Sequence, residues 1–474
     1  MAGRRHLVVV VPGIGGSVLA EPGEGAVVWD AGFGDIADLL MRPGRMSLQE
    51  NAHLIPRGLI KSKRLVPGWT VIDGYDRLWK GLEGLPGVVA DTAEGARVPG
   101  ANLVAFGYDF RRSIVEAADR LAAEIDARLT DLGAGRDDRD QRVIVLAHSM
   151  GGLVARYWLG PLRGWRRCRA LITLGTPHRG APKALEVLVN GVRLLGQPLS
   201  GPTQLLAGWD SPYELLPRYP CVWDQDAQVA RYPHELAGLG LGQRARQAFA
   251  LHEGIAAAWE AIPRSGPDVQ VRLGFSHPTL SSASWDGSRL VVSKDRPGWL
   301  GLGRWDEEFG DGTVPAICAV PLEMDGCDPT DLRVRDRHGR LGSLAQVAGM
   351  LESYEGRPGV SAARGEERPV AVGIDVDELH AAGAPVPLRV RLHGVSDHDA
   401  AGVRVLARLH EADQPTPRGR VRLAWDPAVS AFVGDLPGQP PGMYEVWVEA
   451  RAVPGGGDLS GVDTVAVVAG DHRD

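Results

Sequence analysis

Residues 143–158 read VIVLAHSMGGLVARYW, and this stretch decides the fold. Val143–Leu146 is a short, continuous run of branched aliphatic residues, the pattern of a strand buried on both faces. From Gly151 onward the residues read as a helix. Between them, Ala147-His148-Ser149-Met150-Gly151-Gly152 forms a sharp strand-to-helix turn with a serine at its apex. The backbone folds so tightly there that very small residues are needed two before and two after the serine. Ala147 takes the first place, one methyl larger than the usual glycine, and Gly151 and Gly152 take the second. The bland alternative is a chance A-x-S-x-G in an ordinary turn, and the flanking strand and helix argue against it.

Working outward, strands and helices alternate. Leu7–Val11 and Leu103–Phe106 are further apolar runs, and Ala170–Leu174 is another. A helix is expected from Ser113 to Leu132, with apolar Ile114, Ala118, Leu121, Ile125, Leu129 and Leu132 at helical spacing. Ser113 and Glu116 are arranged as a capping box, and Gly133 stops the helix. Alternation of this kind predicts a parallel sheet in an α/β layer architecture. Two segments break the rhythm, about 20–80 and about 178–265, and both read as insertions above the sheet. The second is a cap with helical stretches at Ala184–Leu195 and Ala245–Ile262. Val269–Phe275 resumes the sheet, and Leu332–Val334 is the candidate for its last strand.

A serine hydroxyl is a poor nucleophile unless a base takes its proton and an acid orients that base. In a strand–serine–helix architecture the acid and the histidine follow in that order. Asp311 lies in the tight turn Phe309-Gly310-Asp311-Gly312-Thr313. Of the six histidines after it, only His338 precedes the polar stretch EGRPGVSAARGEE (355–367). Ser149, Asp311 and His338 are therefore the candidate nucleophile, acid and base. His148 adjoins the serine, but adjacency along a turn does not give a base its geometry. It reads as structural, so its loss should act as a packing change. His178 and His277 read the same way. An oxyanion needs two N–H donors. Met150 supplies one, and the glycine-rich loop Pro12–Ser17 supplies the other, with Ile14 the chosen donor. That loop lacks the spacing of a phosphate cradle.

The segments VVVVPGIGGSVL, LVAFGYDFRRS, VIVLAHSMGGLVARYW, LITLGTPHRGAP, FGDGTVP and DRHGRL occur in this order. Together they resemble the lecithin:cholesterol acyltransferase family, over roughly residues 7–350. The resemblance implies an α/β-hydrolase that works through an acyl-enzyme on glycerolipid esters, as an O-acyltransferase, phospholipase or lipase. It assigns the triad roles to Ser149, Asp311 and His338 and the oxyanion roles to Ile14 and Met150. No cofactor or metal is implied. Secreted members carry a signal peptide and a lid disulfide, whereas residues 1–167 here hold no cysteine. Two other readings stay open: a general carboxylesterase, and an inactive hydrolase fold used as a binding module.

The 474 residues carry a net charge of −7, which offers no basic field for nucleic acid or an anionic membrane. Cys168, Cys221, Cys318 and Cys327 form no CxxC pair and no zinc spacing. The apolar run near the N-terminus is too short for a signal peptide, and no stretch reaches transmembrane length. A cytoplasmic protein is expected, with peripheral membrane contact left open. Residues 1–354 make the hydrolase domain and 355–367 a linker. Residues 368–474 switch to strict alternation (Val370, Val372, Ile374; Leu388, Val390, Leu392), which predicts an Ig-like β-sandwich of unknown partner. That boundary suggests that a chain ending near Gly356 would keep short-ester activity.

Overall fold

The computed structural model describes residues 5–356 and 370–469. Within these bounds, residues 24, 31–41, 62–63, 67–69, 73, 136–138, 195–196, 304–308, 325, 327–331, 335, 344, 413 and 415 are not described. Most of the expected linker, and Cys327, lie outside the described residues.

Seven strands form the central sheet: β1 (Leu7–Val11), β2 (Ala90–Asp91), β3 (Leu103–Ala105), β4 (Val143–His148), β5 (Cys168–Leu174), β6 (Asp268–Gly274) and β7 (Arg333–Val334). Their spatial order is β7-β6-β5-β4-β1-β3-β2, and all neighbours run parallel. β1 and β4 are buried along their whole length, as continuous apolar runs require when helices cover both faces of a sheet. The weak signal at Leu332–Val334 does correspond to the last strand, two residues long. This is an α/β-hydrolase core with Ser149 at the end of its central strand.

Helix α1 (Ile114–Asp131) buries Ile114, Ala118, Leu121, Ile125 and Leu129 as its spacing predicts. Its capping box is not formed. Ser113 Oγ accepts the Val115 N–H, but Glu116 turns outward to Arg112 at 2.9 Å. Glu214, from the cap, takes its place. Its carboxylate accepts the Ser113 hydroxyl at 2.5 Å and the Ile114 N–H at 2.8 Å. A local reading sees only the residue three positions on. The cap delivers a carboxylate that also gains from the positive end of the helix dipole, and so pins itself to the core.

The cap over 178–265 contains helices at Pro182–Asn190, Ser200–Gly208 and Gly242–Glu260. It also has a β-layer that sequence patterning does not reveal: strands Val222–Asp224 and Val229–Arg231 join Ser282–Trp285 and Leu290–Ser293 in one sheet. Leu205 and Leu206 are packed into the main core with Met46 and Trp209. Leu195 lies outside the described residues.

Beyond residue 370, eight strands form one sheet that curls on itself around Val386, Leu388, Val390, Phe432, Val446 and Val465. Ala371–Asp375 comes back against Gly457–Val468, and the long strand Pro417–Asp426 passes from one face to the other. The all-β, sandwich-like expectation holds, with one folded sheet in place of two. Among the described residues no helix is long and apolar enough to cross a membrane.

Burial depresses five histidines strongly, and His6, His234 and His380 in the same direction. His148 and His252 are pushed down to about 3 and His393 to about 4, while His178 and His277 fall well below the usual 6.5. Each stays neutral when folded but takes a proton near pH 6.5 when unfolded. Below that pH the unfolded chain binds more protons, so stability falls as pH falls. Glu214, raised to about 7 by burial, acts in the opposite sense between its ordinary 4.5 and 7, but it is one group against five. Urea midpoints should therefore drop steadily from pH 7 to pH 4.5. A midpoint that held constant over that range would contradict the burial of these rings.

Candidate active site

Ser149 sits at φ +52°, in the left-handed region that turns its side chain clear of β4. Its N–H bonds to the Leu174 carbonyl at 2.9 Å. The small residues around it are dictated by contact. A Cβ on Gly151 would lie 2.5 Å from the Pro12 carbonyl oxygen, and one on Gly152 would lie 2.0 Å from Thr176 Oγ1.

The structure brings Ser149, His338 and Asp311 together. His338 Nε2 is 2.8 Å from Ser149 Oγ, and its Nδ1 is 2.8 Å from Asp311 Oδ2. All three side chains are buried. Asp311 Oδ1 accepts the N–H groups of Thr313 (2.9 Å) and Val314 (2.7 Å), so the glycine turn holds the carboxylate from behind. The His338 N–H bonds to the Asp311 carbonyl at 3.0 Å, which ties the two loops directly. In this arrangement the serine hydroxyl can donate to His338 Nε2 while Nδ1–H donates to the carboxylate.

Gly13 packs on the serine: a Cβ there would be 2.7 Å from Ser149 Cβ. Ile14 is the next residue, and Met150 follows the serine. Among the described residues neither the Ile14 nor the Met150 N–H makes a hydrogen bond. The loop is braced by the YDFR stretch. Tyr108 donates to the Pro12 carbonyl at 2.9 Å, and its own N–H bonds to Ser17 Oγ at 3.0 Å. Arg111, fully buried, holds Asp109 through two bonds of 2.8 and 2.7 Å and reaches the Met46 carbonyl. Phe110 lies edge-on between Trp29 and Trp209.

Two contributors were not foreseen. Gly175 lies over the imidazole–carboxylate pair, and a Cβ there would be 2.9 Å from Asp311 Oδ2 and 3.1 Å from His338 Nδ1. Tyr75, from the first insertion, accepts the Gly13 N–H at 2.9 Å and donates to His148 Nδ1 at 2.8 Å. His148 Nε2–H in turn donates to the His338 carbonyl at 2.8 Å. Burial and the neighbouring His338 keep His148 neutral, which suits one donor and one acceptor nitrogen. His148 lies outside the Ser149–His338–Asp311 contacts but links the glycine loop to the loop of His338. His178 and His277 lie outside the array. His178 is near Thr173, and the His277 N–H bonds to the Gly310 carbonyl behind the acid loop. Among the described residues no cluster of three or more His, Cys, Asp or Glu side chains could hold a metal. Cys168, Cys221 and Cys318 are buried thiols, raised by burial.

Residues 86–204, which include α1, β4 and Ser149, match the family described as lecithin:cholesterol acyltransferase. The likeness drawn from the motifs therefore has a counterpart in this segment, which carries the serine turn of an α/β core. Among solved structures it is similar to the mature form of the Bacillus licheniformis lipase BlEst2, with 12% identity over 75% of this chain and 93% of that one and a TM-score of 0.33. The propeptide form of that lipase is 11% identical over 97% and 93%, with a TM-score of 0.29. A superoxide reductase (neelaredoxin) from Ignicoccus hospitalis is 17% identical over 21% of this chain and 80% of that one, with a TM-score of 0.16. Overlaps this loose say nothing about the reaction. No curated protein matches the chain.

The hydrogen-bonded chain from Gly13 to His338 changes what is expected of His148. Tyr75→Phe and His148→Ala should each lower turnover of a short p-nitrophenyl ester about ten- to a hundredfold, through small displacements of donor and base. Circular dichroism should remain that of the parent. His148→Gln, which keeps a donor and an acceptor, should recover part of the loss. Full turnover in folded His148→Ala would reduce the link to packing.

Proposed function

We propose that the protein cleaves carboxylic esters of glycerolipids through an acyl-enzyme on Ser149 and passes the acyl group to water or an alcohol. The observation that carries this reading is the pair of 2.8 Å contacts that join Ser149 Oγ to His338 and His338 to Asp311. His338 Nε2 takes the hydroxyl proton as Oγ bonds to the ester carbonyl carbon. The carbonyl oxygen becomes an oxyanion, and the N–H groups of Ile14 and Met150 receive it. Collapse breaks the bond to the leaving alkoxide, which takes the proton from His338 and departs as an alcohol. Water or an acceptor alcohol then repeats the steps in reverse. Asp311 holds the imidazole tautomer throughout and stabilises the imidazolium. Hydrolysis and transfer use the same groups and differ only in which hydroxyl enters.

Support for a lipid ester comes from the matched family segment. The general carboxylesterase stays as the second reading, because Leu205 and Leu206, leucines of the cap, are packed into the main core. Ser149→Ala should abolish both ester turnover and fluorophosphonate labelling with the fold intact, and His338→Ala should cost several orders of magnitude in rate. Undiminished hydrolysis by clean Ser149→Ala protein would remove the assignment. For the acyl group, kcat/KM measured below the micelle threshold should rise with chain length, since each buried methylene contributes about 0.8 kcal/mol. A steady decline beyond butyrate would leave the serine chemistry in place and select the carboxylesterase. Product analysis on phospholipid, with and without an added alcohol, tells hydrolysis from transfer.

A further inference from the structure

The β-domain is pressed onto the triad loops. Its first strand, Ala371–Asp375, abuts Ser276, just beyond the end of β6. A Cβ on Gly373 would lie 2.2 Å from the Ser276 carbonyl oxygen and 2.6 Å from His393 Nε2. No side chain fits between these backbones. Ala371 shares an apolar cluster with Val271, Leu273 and Val314, and Phe309 packs edge-on against His393 with centroids 4.9 Å apart. An ion pair joins Lys294 to Asp375 across the same seam.

Arg337 stands in the middle of this seam, one residue before His338. Its guanidinium covers Gly312, the residue after Asp311: a Cβ on Gly312 would be 3.1 Å from Nη1. Nη2 donates to the Ile374 carbonyl and lies 2.8 Å from Asp463 Oδ2. Both side chains of the ion pair are largely withdrawn from water, 12% and 7% exposed. The main chain extends the grip, since Arg340 and Leu341 donate to the Arg337 carbonyl at 2.9 and 3.1 Å. One planar cation thus rests on the acid loop, belongs to the base loop and is anchored in the β-domain. A buried guanidinium that loses its counter-ion is left as an uncompensated charge and moves toward water. Its movement would carry the adjacent residue with it.

We infer that Arg337 is a positioning residue for His338, and that the β-domain, through Asp463 and the Ile374 carbonyl, is a working part of the catalytic centre. The inference rests on the triad reading above. Displacement of a reacting group by about an ångström costs on the order of a hundredfold in rate, and Arg337 immediately precedes the short 3₁₀ turn His338–Ser343 that carries the base. The docking therefore reverses the expectation for a chain ending near Gly356: removing residues 370–474 would take away both of Arg337's anchors.

The test uses full-length protein with Arg337→Met, Asp463→Asn, their combination, Gly373→Ala, and Arg408→Gln as a control. The Arg408–Glu449 ion pair lies within the β-domain. Turnover of p-nitrophenyl butyrate is measured per folded molecule, with the folded fraction fixed by circular dichroism. Arg337→Met and Asp463→Asn should each lower kcat about tenfold or more and leave KM within about threefold, with Arg408→Gln unchanged. The combined variant should lose no more than the worse single one, because both act through one contact. Arg337→Lys, which can reach one anchor, should recover part. If the charge variants fail to fold, Gly373→Ala decides, since it keeps both charges and forces the strand away from Ser276. A folded Gly373→Ala with parental kcat, single charge variants within twofold of the parent, or losses that multiply in the combination would each overturn the inference. Ser149→Ala run alongside separates the two levels. Activity surviving there defeats the triad reading, whereas its loss together with parental Arg337→Met defeats only this one.

Discussion

An L-residue held at φ +52° governs this molecule, because everything near Ser149 is shaped by the need to keep it there. Left-handed backbone costs about 1–2 kcal/mol for a residue with a side chain. The surroundings offset that cost through the Ser149 N–H bond to Leu174 and through β4, which is paired on both edges. Space is the second demand. Gly13, Gly151, Gly152 and Gly175 each face an atom that leaves no room for a Cβ. They lie in three stretches of the chain, brought to one point by the parallel sheet. The strain at one residue is thus matched by three segments, none of which could tolerate a side chain at its point of approach.

The rigidity of His338 has a different origin. His338 is held from three sides by groups of differing chemistry: a carboxylate at Nδ1, the His148 ring at its carbonyl, and the Asp311 carbonyl at its N–H. Two of the three involve its main chain. Rotation of the ring is governed by Asp311, while the height of the loop is governed by backbone contacts, so the two can be perturbed separately.

Much of this was legible in the sequence because the relevant signals are local. The serine turn announces itself through a strand, a run of tiny residues and a helix within sixteen positions. Asp311 was recognisable from its glycine turn, and His338 from chain order and the polar stretch after it. What escaped was long-range. Tyr75 lies in an irregular insertion with no periodicity to read, and its hydroxyl matters only because folding carries it to Gly13 and His148. Gly175 looks like any turn glycine until the imidazole beneath it is seen. The capping box at Ser113 failed for the same reason, since Glu214 from a distant cap helix outcompeted the local Glu116. Arg337 reads as an ordinary loop cation, and nothing in the alternating pattern after residue 370 indicates which edge of that domain docks.

The long separation of Asp463 from Arg337 along the chain has a consequence for the order of folding. A nascent chain can pair β1 to β6 and seat Asp311 and His338 while residues beyond 354 are still inside the ribosome. Arg337 then has neither the Ile374 carbonyl nor Asp463. Asp463 is made more than a hundred residues after Arg337, so the seam closes only after the parallel sheet has its strands.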